Sequence, residues 1–265
     1  MININIINVS DFPAIISSYE INRWKDFLIA NNFEIENYSL NKKEESFEIL
    51  NSVLNSNKDE LILFSSWWFD TVNNINLAIN NPWKWNKVLI GFSDTLHIQS
   101  KFYNDNNFYI LYGITLRNIF ELNNYSKRVL FDFIKNQTFN INIQENIIKN
   151  NEIVWRLHWW HLMIFINIID IYWIEILNWD ILYLEFHWME DYFIKYYLDI
   201  LKIKWVFKKL SWIILDKDID NYNKNELINY LSNNWVPNIY SLDKIDFLPF
   251  YKNVTIKKWS LIMKI

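Results

Sequence analysis

Two glycines in 265 residues form the tightest constraint that this sequence places on its own folding. At ordinary usage roughly 18 would be expected in a chain of this length. Tight turns, helix C-termini and β-bulges lean on glycine, because a residue without Cβ enters the left-handed region freely. The same chain carries 15 tryptophans. Two of them stand side by side in Leu63-Phe64-Ser65-Ser66-Trp67-Trp68-Phe69-Asp70, where an apolar run ends in small polar residues. A turn off a strand is a place for glycine rather than for the two largest side chains. Abundant Ile, Asn, Lys, Tyr and Phe point to an AU-rich gene with few GGN codons. That accounts for scarce glycine but not for abundant tryptophan.

The length allows one large domain or two modest ones, and a hydrophobic content of 51% supplies a sizeable core. A net charge of -4 and a pI near 5.6 give no electrostatic reason to expect nucleic acid. Without cysteine there are no disulfides and no thiolate metal sites, which suits a reducing compartment. The N-terminus lacks the basic and long apolar regions of a signal peptide. The longest apolar run, Leu162 to Ile169, is broken by Asn167 and stops at Asp170, too short to cross a bilayer. A cytoplasmic protein without membrane association is expected.

In the first half, strand-like and helix-like segments alternate. Strands are expected at Ile4 to Val9, Phe33 to Tyr38, Leu61 to Phe64 and Lys87 to Ile90. Helices are expected at Glu20 to Asn31, Lys43 to Leu54, Thr71 to Ile79 and Thr95 to Tyr103. This alternation implies a parallel sheet flanked by helices. The Asn-rich stretch from Gln137 to Asn151 reads as a linker or exposed crossover. Beyond it, helices are expected at Trp160 to Ile169, Tyr192 to Leu201 and Lys224 to Asn233, and strands at Ile181 to Leu184, Ile213 to Leu215 and Asn238 to Tyr240.

One of the two glycines lies in Val88-Leu89-Ile90-Gly91-Phe92-Ser93-Asp94-Thr95, an apolar strand running into a helix start. A serine on such an elbow is exposed, with helix N–H groups beneath it that favour an oxyanion. Ser93 or Asp94 could equally be a plain helix cap. Locally the two readings stay open.

Over almost its whole length the chain resembles the LD-carboxypeptidase family, which includes muramoyl-tetrapeptide carboxypeptidases and microcin C immunity peptidases. Asn22-Arg23-Trp24-Lys25-Asp26-Phe27-Leu28 and Asn32-Phe33-Glu34-Ile35 are similar to R-G-…-L-…-G-F-x-V. The Trp67-Trp68 turn is similar to A-R-G-G-Y-G, and Ile90 to Asp94 to I-G-Y-S-D. Phe108 to Gly113 resembles V-T-F-H-G, Trp155 to Leu162 resembles G-x-L-x-G-G-N-L, and Ile181 to Glu185 resembles I-L-F-L-E. Trp205-Val206-Phe207, Trp212 to Leu215 and Thr255 to Trp259 resemble G-V-F, G-I-I-L and T-L-P-I-G.

The resemblance implies an α/β fold in two parts. These are an N-terminal flavodoxin-like parallel-sheet domain over 1–120, a linker or crossover over 121–151, and a smaller β-rich α+β domain over 152–265. The active site is expected between the domains. It also implies a Ser-Glu-His hydrolase without a cofactor or metal, usually a homodimer, that cleaves an L,D peptide bond in a peptide or muropeptide. Ser93 would be the nucleophile, and Asp94 and positions 67 and 68 would supply oxyanion and substrate donors. Glu185 would orient the histidine, although by itself it could be a solvated carboxylate at a strand end. In the family that histidine follows P-F-G-H. Here Pro249-Phe250 is followed by Tyr251-Lys252-Asn253, and no histidine occurs after His187. His97 and His187 are substitutes to consider, while His158 and His161 suit packing or substrate contact. A peptide-binding protein without catalysis therefore remains the alternative.

Against the family pattern, tryptophan stands at glycine positions 24, 67, 68, 155, 159, 160, 179, 188, 205, 212, 235 and 259. Drift would not convert glycine to its bulkiest replacement at a dozen turns. UGA read as glycine in the cell, but written as tryptophan, would produce this pattern. Trp83, Trp85 and Trp173 have no glycine counterpart.

Overall fold

A computed structural model describes residues 2–9, 18–39, 43–65, 87–92, 95–102, 108–116, 119–120, 122–136, 138–142, 153–171, 174, 176, 178, 180–186, 189–215, 224–234, 239–241, 248–257 and 260–264. The chain divides into two compact units, Met1–Glu121 and Leu122–Ile265.

The first unit runs β1 (Ile2–Ile7), α1 (Ser18–Ala30), β2 (Phe33–Ser39), α2 (Lys43–Leu54), β3 (Glu60–Phe64), β4 (Lys87–Gly91), α3 (Thr95–Lys101) and β5 (Phe108–Tyr112). All five strands are parallel, paired in the order β2-β1-β3-β4-β5. This is the flavodoxin-like order, which reverses direction between β1 and β3. The pairing explains the sequence patterns. β3 is buried along its whole length, as a near-continuous apolar run requires when helices cover both faces. β2, at the edge, mixes buried Phe33 and Ser39 with exposed Glu34 and Glu36. α2 presents Leu50, Val53 and Leu54 to a core that includes Ile7, Val9, Ile62, Phe64, Leu89, Ile98 and Phe102. Each such side chain contributes about 1.5–3 kcal/mol when fully buried.

The second unit contains α4 (Asn124–Asn136), β6 (Thr138–Asn142), β7 (Ile153–His161), α5 (Leu162–Ile171), β8 (Asp180–Glu185), α6 (Asp191–Ile203), α7 (Val206–Lys209), β9 (Leu210–Leu215), α8 (Lys224–Asn233), β10 (Ile239–Ser241), β11 (Leu248–Lys257) and β12 (Ser260–Lys264). β7, β8, β9 and β10 are parallel neighbours. β11, β12 and β6 extend the ladder from β7 in antiparallel fashion. β8 and β9 are wholly buried. α6 and α8 sit on apolar stripes at helical spacing, Ile194, Leu198 and Leu201 on one and Leu227 and Leu231 on the other.

The expected α/β class and its N-terminal flavodoxin-like part are what the structure has. Two local expectations change. The stretch 121–151, expected to link two domains, holds α4 and β6. α4 buries Val129, Leu130 and Phe133, spaced as a core-facing helix stripe. β6 pairs with β12 alone among the described strands, an edge position where asparagine-rich sequence is tolerated. With this stretch included, the second unit spans Leu122–Ile265. Helix α5 starts at Leu162 and not at Trp160, because residues 159–161 still pair with β8. The expected helix over Thr71 to Ile79 lies outside the described residues. Among the described residues no helix is long and apolar enough to cross a membrane.

Candidate functional site

The carboxyl ends of parallel strands are where α/β sheets bind ligands. In the first unit these ends are tied together by backbone bonds. Ser65 N–H donates to the Ile7 carbonyl at 3.0 Å, Leu116 N–H to the Phe64 carbonyl at 3.0 Å, and Gly113 N–H to the Gly91 carbonyl at 2.9 Å. Buried Ser65 adds its hydroxyl to Asn8 Oδ1 at 3.2 Å, bridging β1 and β3 where the strand order reverses.

The elbow after β4 is tight. Phe92 carbonyl accepts from Thr95 N–H at 3.3 Å and from the Thr95 hydroxyl at 3.0 Å, so the strand passes into α3 within four residues. A Cβ at Gly91 would lie 2.7 Å from Phe64 Cδ2 and would also overlap Thr95. Any other residue there would have to displace the Phe64 and Thr95 side chains. Gln99 anchors α3 by donating Nε2 to the Leu89 and Leu111 carbonyls, at 3.3 and 3.2 Å. The expected nucleophile Ser93, its neighbour Asp94 and positions 67 and 68 all lie outside the described residues. What the structure describes is the frame on either side of them. Gly113, the other written glycine, adopts φ 112°, a conformation that side chains rarely tolerate.

In the second unit Glu185 closes β8 and is buried, 4% exposed. The buried position departs from the solvated carboxylate that its place at a strand end also allowed. Beside it, in register on β7, is half-buried His161. The sequence assigned His161 to packing or substrate contact. The signal that pairs it with Glu185 is its place four residues beyond Leu157, just as Glu185 stands four beyond Ile181, which only the strand register reveals.

The other histidines differ. His97, on α3, has its pKa lowered by burial and further by the cation of Lys101. Backbone pairing sets His158 opposite Leu182, and His187 lies outside the described residues. Among the described residues no cluster of three His, Asp or Glu side chains could hold a metal ion.

No protein-family model and no curated protein matches this sequence. Solved structures do. The chain aligns with muramoyltetrapeptide carboxypeptidase from Oxalobacter formigenes at TM-score 0.75 and 13% identity, covering 97% of each chain. An MccF-like protein from Streptococcus pneumoniae, in complex with AMP, aligns at TM-score 0.77 and 15% identity over 98% of each chain. The microcin C7 self-immunity protein MccF in its apo state gives 0.75 and 17% identity, covering 100% of this chain and 96% of that one. This chain thus has the fold of the muramoyltetrapeptide carboxypeptidase and MccF structures, the fold that its motif-by-motif resemblance to the LD-carboxypeptidases implied.

Proposed function

We propose that the protein is a serine carboxypeptidase that cleaves an L,D peptide bond in murein tetrapeptide or a related peptide conjugate. The observation that carries this reading is the elbow after β4. Gly-Phe-Ser-Asp joins a buried strand to a helix where Gly91 has no room for a side chain. A serine on such a turn is presented away from the sheet. Ser93 is the nucleophile in this reading, the Asp94 N–H and the backbone at positions 67 and 68 stabilise the oxyanion, and Glu185 orients the base. Full-length likeness to structures named as a carboxypeptidase and as immunity proteins supports the same choice. A cytoplasmic homodimer and a site needing no cofactor or metal belong to this reading.

Glycine at the twelve tryptophan positions is part of the proposal, since rings at 67 and 68 would fill the space a substrate carbonyl must enter. The protein is therefore assayed in both forms, as written and with glycine at the twelve positions. D-alanine release from murein tetrapeptide is expected from the glycine form, and Ser93→Ala lowers kcat by about 10³-fold or more. Tetrapeptide binding without release from either form would instead establish the non-catalytic alternative, for which the missing Gly-His after Phe250 speaks.

A further inference from the structure

We infer that the outer face of α6 is the surface by which this chain pairs with a second copy of itself, the two α6 helices lying antiparallel across a two-fold axis. The inference goes beyond the homodimer of the reading above by naming its surface and its direction, and it rests on the second unit alone. α6 has two stripes. Ile194, Leu198 and Leu201 are buried and hold the helix to its own unit. On the opposite side stand Tyr192, Tyr196, Asp199 and Ile203, all exposed, the two tyrosines at 59% and the isoleucine at 73%. Their 4-3-4 spacing is that of a seam along which one helix packs on another. A helix that faces only water carries charged and polar residues on that side. Phe193 and Tyr197 border the seam, and the rings are already packed together. Centroids lie 4.1 Å apart for Tyr192 and Phe193, 5.3 Å for Tyr196 and Tyr197, and 6.4 Å for Phe193 and Tyr197. Rings held by one another lose less freedom when a partner covers them.

Charge selects the occupant and its direction. The helix starts at Glu190 and Asp191 and ends at Lys202 and Lys204. An antiparallel second copy sets each acidic end against the partner's basic end. In the register that places Tyr192 opposite the partner's Ile203, Tyr196 stands opposite the partner's Asp199. The Asp199 carboxylate already accepts from the Tyr230 hydroxyl of α8 at 2.5 Å and keeps acceptor positions for a second phenol. A parallel copy would put Asp199 against its own image in the seam and like charges together at both ends. Charged ends also suit the dipole of α6 itself, but an exposed aromatic stripe does not.

α8 lies alongside, tied to α6 by the Lys195–Glu226 ion pair at 2.5 Å as well, and widens the small face that one 13-residue helix offers. A stable interface takes about 800 Å² from each partner, so a reversible dimer is expected rather than a permanent one.

The test uses the full chain with glycine at the twelve positions, none of which lies on the seam. Association is read without substrate, so its failure and a failure of the hydrolase reading are separate results. In sedimentation velocity from about 1 to 100 μM the parent is expected to pass from monomer to dimer. Tyr196→Lys is expected to raise the dimer Kd by about 10²-fold or more, because a substitution in a two-fold interface counts twice. The chain has no cysteine, so introduced ones report proximity. Tyr192→Cys mixed with Ile203→Cys should form a disulfide on oxidation. Tyr192→Cys by itself should not, since its two copies would stand about 16 Å apart along the seam, beyond the reach of such a bond. A parent that stays monomeric at about 100 μM would overturn the proposal. So would a dimer whose Kd moves less than about threefold in Tyr196→Lys, or a Tyr192→Cys disulfide that forms faster with itself than with Ile203→Cys.

Discussion

Asn32 and Trp205 occupy the same kind of place and show what one residue can decide. Each follows a helix end in the left-handed region, at φ 67° and 62°. Asparagine is the usual second choice after glycine at such a C-terminal position, and tryptophan is not. α6 closes there with Lys204 N–H on the Ile200 carbonyl and Trp205 N–H on the Lys202 carbonyl, while the indole projects outward, 59% exposed. A left-handed non-glycine residue costs about 1–2 kcal/mol. The Lys208 ammonium, 3.5 Å from the indole centroid, returns about 0.5–1 kcal/mol of that. Trp205→Gly should therefore stabilise the protein by about 0.5–1 kcal/mol, read as a higher urea midpoint at unchanged m. A lower midpoint would mean that tryptophan belongs there. Trp24 and Trp212 are less telling, since both are buried without strain and Trp24 stacks on Phe120. Tyr38 offers a second residue-scale test. Burial pushes its phenol up to about 12, from an ordinary value of 10. Between those pH values the unfolded chain has lost a proton that the folded one keeps, so stability falls as pH rises. Tyr38→Phe removes that term, and its stability relative to the parent should climb between pH 10 and 12 in denaturant titrations.

At the scale of elements, two helices with apolar stripes were legible end to end, whereas α4, which also has one, was not. α2 and α8 begin and end where the spacing of their apolar residues predicts. Less legible was the boundary of β7 and α5. Its sequence is apolar on both sides, and pairing with β8 rather than local preference keeps residues 159–161 extended. The hairpin of β11 and β12 was hidden for another reason. Lys257 pairs with Ser260, so only Lys258 and Trp259 separate the strands, and connections that short favour glycine. A tryptophan in that place gives the sequence no such signal. Polar residues inside the sheet also escaped the sequence. Lys87 is solvent-inaccessible and donates to Ser56 Oγ at 2.6 Å and to the Ser56 and Lys58 carbonyls at 3.2 and 2.5 Å. Its register neighbour Glu60 accepts from Asn5 Nδ2 at 2.5 Å and from the Ser56 hydroxyl at 3.1 Å. This buried network ties the middle of β1 to the amino ends of β3 and β4. Lys87→Met leaves its buried acceptors without a donor, while Lys58 Nζ, 3.6 Å from Glu60 Oε1, still neighbours that carboxylate, and the change should cost about 1–3 kcal/mol by equilibrium denaturation. A loss under 0.5 kcal/mol would show that the clamp contributes little.

For the whole molecule, four of the five strands of the parallel unit followed from the alternation of strand and helix segments, and β5 did not. The extent of the second unit did not, because polar, asparagine-rich sequence reads as linker until its pairing partner, β12, is known. The site was legible in part. Gly91 and the apolar strand before it mark the elbow, and Glu185 ends a strand whose burial its sequence declares. The neighbour of Glu185 was not legible, since strand register is a property of two distant segments together. The central claim is that this fold performs serine-dependent cleavage of an L,D peptide bond. The direct measurement is D-alanine release from murein tetrapeptide by the glycine form of the full chain, alongside its Ser93→Ala variant. Release by the parent and its loss in the variant are the predicted results. No release by the parent, or equal release by both, would contradict the account.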